Sequence, residues 1–162
     1  NVRWTLRALR NFQNIPKFYN KLQLFLDKYG IKAILYRCMT DEFKVEFYET
    51  SNGKCPFLDF LSTLDVKLRA KVFRDLGLLQ KNGNDLGMPF SKFLDDGIFE
   101  LRTKLGTNNV RVLYFFIYGK TIIVTNGFKK KTQKTPIGEI QLAQKYRNEY
   151  VLRNKNIQGG KN

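Results

Sequence analysis

"IFELRTKLGTNNVRVLYFF", residues 98–116, decides how this chain folds. Its first eight residues alternate: Phe99, Leu101, Thr103 and Leu105 fall on one side of an extended chain, and Glu100, Arg102 and Lys104 on the other. The apolar run "VRVLYFFI" follows after "GTNN", and a third run, "TIIVTNGF", after Tyr118–Gly119. Three such runs with short connections read as neighbouring strands over about 98–105, 110–117 and 120–128. If "GTNN" is a four-residue loop, Leu105 pairs with Val110 and Lys104 lies directly across from Arg111, with Arg102 two residues along the same face. A two-residue loop at Tyr118–Gly119 places Asn126 beside Arg111 in that row.

Upstream of these strands, Phe43, Val45 and Phe47 alternate with Lys44, Glu46 and Tyr48, as in a half-buried strand. "NGKCP" is a turn, and Pro56 suits the first position of a short helix carrying Phe57, Leu58, Phe60 and Leu61. From about Asp65 a longer helix puts Leu68, Val72, Leu76 and Leu79 on one face and stops at Gly83. "NGNDLGMPF" reads as loop, and Asp95–Asp96 before Gly97 as a solvated turn rather than a metal site. Thr135 and Pro136 read as N-cap and first position of a last helix ending near Tyr150. The order β-α-α-β-β-β-α implies an α+β fold, a small, mainly antiparallel sheet packed with helices. The expected organisation is a basic N-terminal helical extension over 1–38, a domain over 39–152 and a flexible tail over 153–162. Residues 1–38 carry eight Lys and Arg against one acid. Phe18, Leu22, Phe25, Leu26 and Tyr29 there sit at helical spacing, and Met39 reads like a fresh start, so the extension is read as dispensable, with an ordinary docking helix as the alternative.

Composition narrows the chemistry. The chain has 162 residues, 43% of them hydrophobic, enough for one core of its own. Lys and Arg outnumber Asp and Glu 29 to 14, a net charge of +15. That attracts polyanions, nucleic acid first and a membrane surface second. There is no histidine, which removes the usual neutral-pH base and the commonest metal ligand. Cys38 and Cys55 are unclustered, which argues against a zinc site or a disulfide framework and for reduced thiols in a cytoplasm. No apolar run reaches the ~18 residues of a membrane span, and no signal peptide is evident. No metal and no cofactor are expected.

The positive charge converges on the strands. Like charges opposite each other cost up to ~1 kcal/mol, and a strand pair that bears this usually offers the charges an anion. Lys129, Lys130 and Lys131 leave the last strand toward the same place, and the following helix adds free N–H groups. A solvated sheet face with Glu100 as partner is the alternative. Tyr118 at the hairpin tip, Asn126 and Lys134 are candidates to touch RNA beside Lys129 and Lys130.

"GKCPFLDFLSTL", "FELRTKLGTNNVRVLYFF" and "NGFKKKTQKTP" together resemble the RelE superfamily of bacterial toxins, in its HigB-like, phage-derived branch, over residues from about 43 to 150. The resemblance implies the toxin of a toxin–antitoxin pair, with a cognate antitoxin protein, the ribosome and mRNA as partners and no membrane. It implies a metal-independent endoribonuclease whose basic residues are Arg102, Lys104, Arg111 and Lys131, with Lys129 and Lys130 as near alternatives for the last. The tyrosine that some members use as base is replaced by Ile137, and the positions of their histidines read Glu149-Tyr150-Val151 and Thr125-Asn126-Gly127. Tyr146 and Tyr150 are the remaining candidates for the base. A non-catalytic binder on the same fold, such as a ParE-like gyrase inhibitor, is the other class that fits.

Overall fold

The computed structural model describes residues 43–117, 120–132 and 134–159, with side chains as far as 154. The chain divides into two units, Asn1–Arg37 and Cys38–Asn162, and every described residue belongs to the second. The expected extension over 1–38 therefore lies outside the described residues, as does Tyr118.

The order of elements is β1 (Lys44–Phe47), α1 (Pro56–Ser62), α2 (Val66–Asn82), a short 3-10 turn (Gly83–Asp85), β2 (Ser91–Asp95), β3 (Ile98–Leu105), β4 (Asn108–Ile117), β5 (Thr121–Lys129) and α3 (Ile137–Gly159). The five strands form one sheet in the order β1-β5-β4-β3-β2. Only β1 and β5 run parallel; the other pairs are antiparallel. The fold is α+β, a mixed sheet with three helices, as the sequence pattern implies.

One strand more is present than the sequence pattern suggests. β2 occupies "SKFLD", is short, and sits at the sheet edge with Lys92 and Phe93 exposed, so it lacks the apolar alternation of a buried strand. It joins β3 through Asp96–Gly97, both with positive φ (43° and 72°), the geometry of a tight two-residue hairpin. The final helix also runs beyond the expected end near Tyr150, to Gly159, so much of the proposed tail 153–162 is helical. No Gly or Pro interrupts the chain between Gly138 and Gly159. The Arg153 guanidinium donates to Glu49 O at 2.6 Å, holding the added turns to the body.

Helices cover both faces of the sheet. α1 packs on β5 and α2 on β3, while α3 packs on β5 and β4. Leu68, Val72, Leu76 and Leu79 of α2 are all buried, as their spacing predicts. Asp65 caps this helix by accepting from the Leu68 N–H at 2.9 Å. Within the layer, buried Asp75 accepts from the Thr103 hydroxyl at 2.8 Å and from Lys71 Nζ at 2.5 Å. That satisfies a charge which burial would otherwise make costly. Gly127 is needed where it stands, because a Cβ there would lie 2.4 Å from the Phe60 ring of α1. The other layer joins Ile98, Leu113, Phe115, Ile123 and Phe128 to Ala143 of α3, with Tyr146 and Tyr150 at its margin. Each fully buried side chain of this size contributes about 1.5–3 kcal/mol. These two cores hold the strands, and the end of the second layer leaves the basic residues uncovered.

Candidate functional site

The hairpin of β3 and β4 turns through Gly106 and Thr107 alone, Gly106 at φ 59°. "GTNN" is thus a two-residue turn and not a four-residue loop, and the register moves by two. Arg102 pairs with Arg111, Lys104 with Asn109 and Leu105 with Asn108. The expected opposition of Lys104 and Arg111 is corrected, but a shift of two preserves the faces, so the like-charge pair survives with Arg102 in place of Lys104.

Glu100 lies one step along that face and is 1% exposed. Its Oε1 stands 3.4 Å from Arg102 Nε and 3.6 Å from Arg111 Nε. Neither contact is a hydrogen bond, and both Nε atoms lie buried without a hydrogen-bond partner among the described residues. Arg111 spends Nη1 on Val110 O at 2.9 Å. Glu100 Oε2 accepts the Thr135 hydroxyl at 2.6 Å. Thr135 therefore does not act as the expected N-cap; α3 starts at Ile137, and the Pro136 carbonyl accepts from the Glu139 N–H at 3.1 Å. The hydroxyl instead ties the entry of α3 to the carboxylate between the two arginines.

An open cleft of about 300 Å³ is lined by Arg102, Asn109, Arg111, Lys130, Lys131 and Thr132. β3 and β4 supply the guanidinium groups, and the segment after β5 supplies the ammonium groups. The Lys130 N–H donates to Asn109 O at 2.7 Å, which fixes that segment against the mouth of the hairpin. Burial, then the positive charge of Arg111 and Arg102, lowers the Lys130 pKa, with Glu100 opposing. Burial likewise lowers that of Arg111, with Glu100 opposing and Arg102 adding to the fall. Arg102, Arg111 and Lys130 share one carboxylate, so an entering anion meets an excess of positive charge, part of it already desolvated at Arg111 and Lys130.

Of the residues that the sequence singles out, Arg102, Arg111, Lys130 and Lys131 come together here. Lys104 shares their face but is exposed and does not line the cleft. Lys129 pairs with Val110, which puts it on the opposite face of the sheet from Arg111. Lys134 is exposed before α3, outside the lining. Asn126 does not stand beside Arg111. Ile117 pairs with Thr121, and the register slips once more between Leu113 and Tyr114, so Asn126 pairs with Leu113 and Phe128 takes the place next to Arg111. Asn126 is buried, and its amide donates to Glu139 Oε2 at 2.8 Å.

The two candidate bases sit elsewhere. Tyr146 stacks on Tyr48 with centroids 4.5 Å apart, and Tyr150 donates to Glu46 Oε2 at 3.0 Å while packing on Phe115. Burial and then Glu46 push the Tyr150 phenol up to about 12, and burial and then Glu149 raise that of Tyr146. Neither lines the cleft. Asn109, Thr132 and the Thr135 link escape the sequence reading. Asn109 was legible from Gly106, since a glycine opening a two-residue hairpin draws "NN" into the strand.

Among the described residues no three His, Cys, Asp or Glu side chains gather as a metal site. Among the same residues no helix is long and apolar enough to cross a membrane. The arrangement suits a phosphate: planar donors on two strands, flexible ammonium groups at the rim and a carboxylate that offsets only part of their charge.

The chain matches no curated protein sequence. Residues 59–148 match the family described as Phage derived protein Gp49-like (DUF891), a stretch that runs from α1 well into α3 and contains every residue lining the cleft. The chain belongs to this Gp49-like family, a toxin-like family of the RelE superfamily.

Proposed function

We propose that the protein is the toxin of a toxin–antitoxin pair, HigB-like in kind, and an endoribonuclease that cuts mRNA on the ribosome without a metal. The observation that carries this reading is the Arg102–Arg111 pair, set beside buried Glu100 and open to a cleft that Lys130 and Lys131 complete. In the reaction the ribose 2′-hydroxyl attacks the adjacent phosphorus. The O2′–P bond forms, the P–O5′ bond breaks, and the products are a 2′,3′-cyclic phosphate and a 5′-hydroxyl. The proton leaves O2′ for solvent water, and water returns one to O5′. Arg102 and Arg111 stabilise the charge that gathers on the phosphoryl oxygens at the transition state, where a well-aimed donor contributes about 2.7–4 kcal/mol. Lys130 and Lys131 hold the flanking phosphates. The ribosome supplies the alignment of the 2′-hydroxyl, a positioning term worth roughly 7–11 kcal/mol at best. A protein of net charge +15 calls for an acidic or amphipathic antitoxin segment to silence it.

A second reading is favoured by one observation: the chain has no histidine, and both late tyrosines are packed away from the cleft. It makes the protein a non-catalytic binder, ParE-like or simply nucleic-acid-binding. Primer extension on mRNA after induction separates the two. Discrete breaks with 5′-hydroxyl ends support the nuclease, whereas intact mRNA with inhibited gyrase supercoiling supports the binder.

A further inference from the structure

The cross-strand row that holds Arg102 and Arg111 continues past β3. Ser91 pairs with Leu101, and the next step of that ladder is the Arg102 N–H donating to Phe90 O at 2.7 Å. Phe90 closes the turn that leads into β2, its own N–H bonded to Gly87 O at 3.1 Å, so its backbone lies beside Arg102, which pairs with Arg111 as Arg111 does with Phe128. The two aromatics that flank the arginines differ in burial: Phe128 is 9% exposed, within the core under α3, and Phe90 is 40% exposed. Met88 is exposed too, and its Sδ lies 3.3 Å from Arg102 Nη1. An open thioether thus touches a guanidinium that lines the cleft, and an open aromatic residue is held to the backbone of the same arginine.

We propose that Phe90, with Met88 beside it, is a nucleobase-stacking subsite for single-stranded RNA, which rests on the reading of the cleft as an RNA site. Neighbouring chains in a sheet lie about 4.8 Å apart, so the Phe90 backbone is about 10 Å from that of Arg111. A single nucleotide spans that distance, with its phosphate between Arg102 and Arg111 and its base over the Phe90 ring. Every base has a π face, so such a platform adds affinity with little sequence preference. It selects unpaired strands, because a base within a duplex is already stacked. The Phe90 carbonyl, which holds Arg102, is backbone and survives any change of side chain.

The test is a titration with two labelled hexamers, one a 2′-O-methyl ribo-oligonucleotide that cannot be cleaved and one its abasic counterpart with the same phosphates. The wild-type protein is expected to bind the base-bearing hexamer about tenfold more tightly than the abasic one. Phe90→Ala should abolish that ratio, Phe90→Trp should keep it, and Arg111→Met should weaken both hexamers. Two results overturn the subsite alone: Phe90→Ala binding the base-bearing hexamer as wild type does, or losing equally on the abasic one. Unchanged hexamer binding by Phe90→Ala with weakened neutralisation by the antitoxin would assign the patch to a protein and also overturn it. Failure of the wild type to bind either hexamer would instead overturn the RNA reading of the cleft.

Discussion

Arg102 and Arg111 face each other across β3 and β4, two like charges in one cross-strand pair with the buried Glu100 carboxylate within 3.6 Å of both. The opposition costs up to ~1 kcal/mol in an open sheet, and Glu100 offsets part of it. What it leaves is a pair of guanidinium groups whose Nε atoms have no hydrogen bond among the described residues, at the floor of a cleft with two lysines at its rim. In the proposed function an anion completes that arrangement.

The first prediction concerns Glu100. Replacing it with Gln keeps the shape and the Thr135 contact but removes the charge that balances the arginines. Breaking a buried pair from one side costs about 3 kcal/mol, so the melting temperature should fall by several degrees. Phosphate binding by the folded protein should be retained or tightened. A melt identical to that of the wild type would mean the carboxylate does not hold the pair.

Tyr146 and Tyr150 should be dispensable for chemistry. Tyr150→Phe removes the bond to Glu46 and is expected to cost about 1 kcal/mol of stability while leaving mRNA cleavage within twofold. A phenol pushed up to about 12 has almost no phenolate at neutral pH to act as a base. Loss of cleavage by folded Tyr150→Phe or Tyr146→Phe would restore them as candidates.

Lys130 carries a pH signature. In the unfolded chain it keeps its proton up to the ordinary lysine value of 10.5, and in the fold burial and the arginines lower that value. Between the two values the native state binds fewer protons than the unfolded one, so rising pH favours the native state in that window. At neutral pH, Lys130→Met should therefore melt no lower than wild type, and any advantage should shrink as pH climbs toward 10.5. Wild-type RNA affinity should begin to fall at a lower pH than that of a protein whose lysines are all freely solvated. Parallel melts and binding titrations from neutral to alkaline pH read both effects. An advantage that grows with pH would contradict the burial.

Position along the lysine run should matter more than charge. Lys129 shares a face with Val110, away from the arginines, whereas Lys131 lines the cleft. Lys131→Ala should weaken RNA or ribosome binding several-fold and reduce the salt dependence by about one charge. Lys129→Ala should do much less. Equal effects would indicate a general electrostatic field in place of a defined site.

Periodicity carries much of this fold because it survives errors of register. The alternation in "IFELRTKL" puts Glu100, Arg102 and Lys104 on one face whichever even shift the hairpin takes, and the apolar stripe Leu68–Val72–Leu76–Leu79 gives α2 its buried side without knowledge of the sheet. Which cation meets which is set by turn length, and there "GTNN" misleads: the positive φ of Gly106 permits a two-residue turn that exchanges Lys104 for Arg102. β2 escapes notice because an edge strand with an exposed Lys92 and Phe93 needs no alternation, although Asp96–Gly97 is a hairpin signal. The Thr135–Glu100 bond joins residues 35 apart and competes with a capping role that local sequence favours. Only the packed chain decides between them.

The central claim is that Arg111 meets the phosphate that is cut, and the direct measurement is mRNA cleavage on programmed ribosomes by Arg111→Met and Arg111→Ala, with thermal melts of each. Both variants lose a desolvated charge beside Arg102, and the methionine preserves packing, so its melt should stay within a few degrees of wild type. Its cleavage rate should fall by roughly two to three orders of magnitude, the worth of one transition-state donor. Full cleavage by a folded Arg111→Met protein would contradict the account.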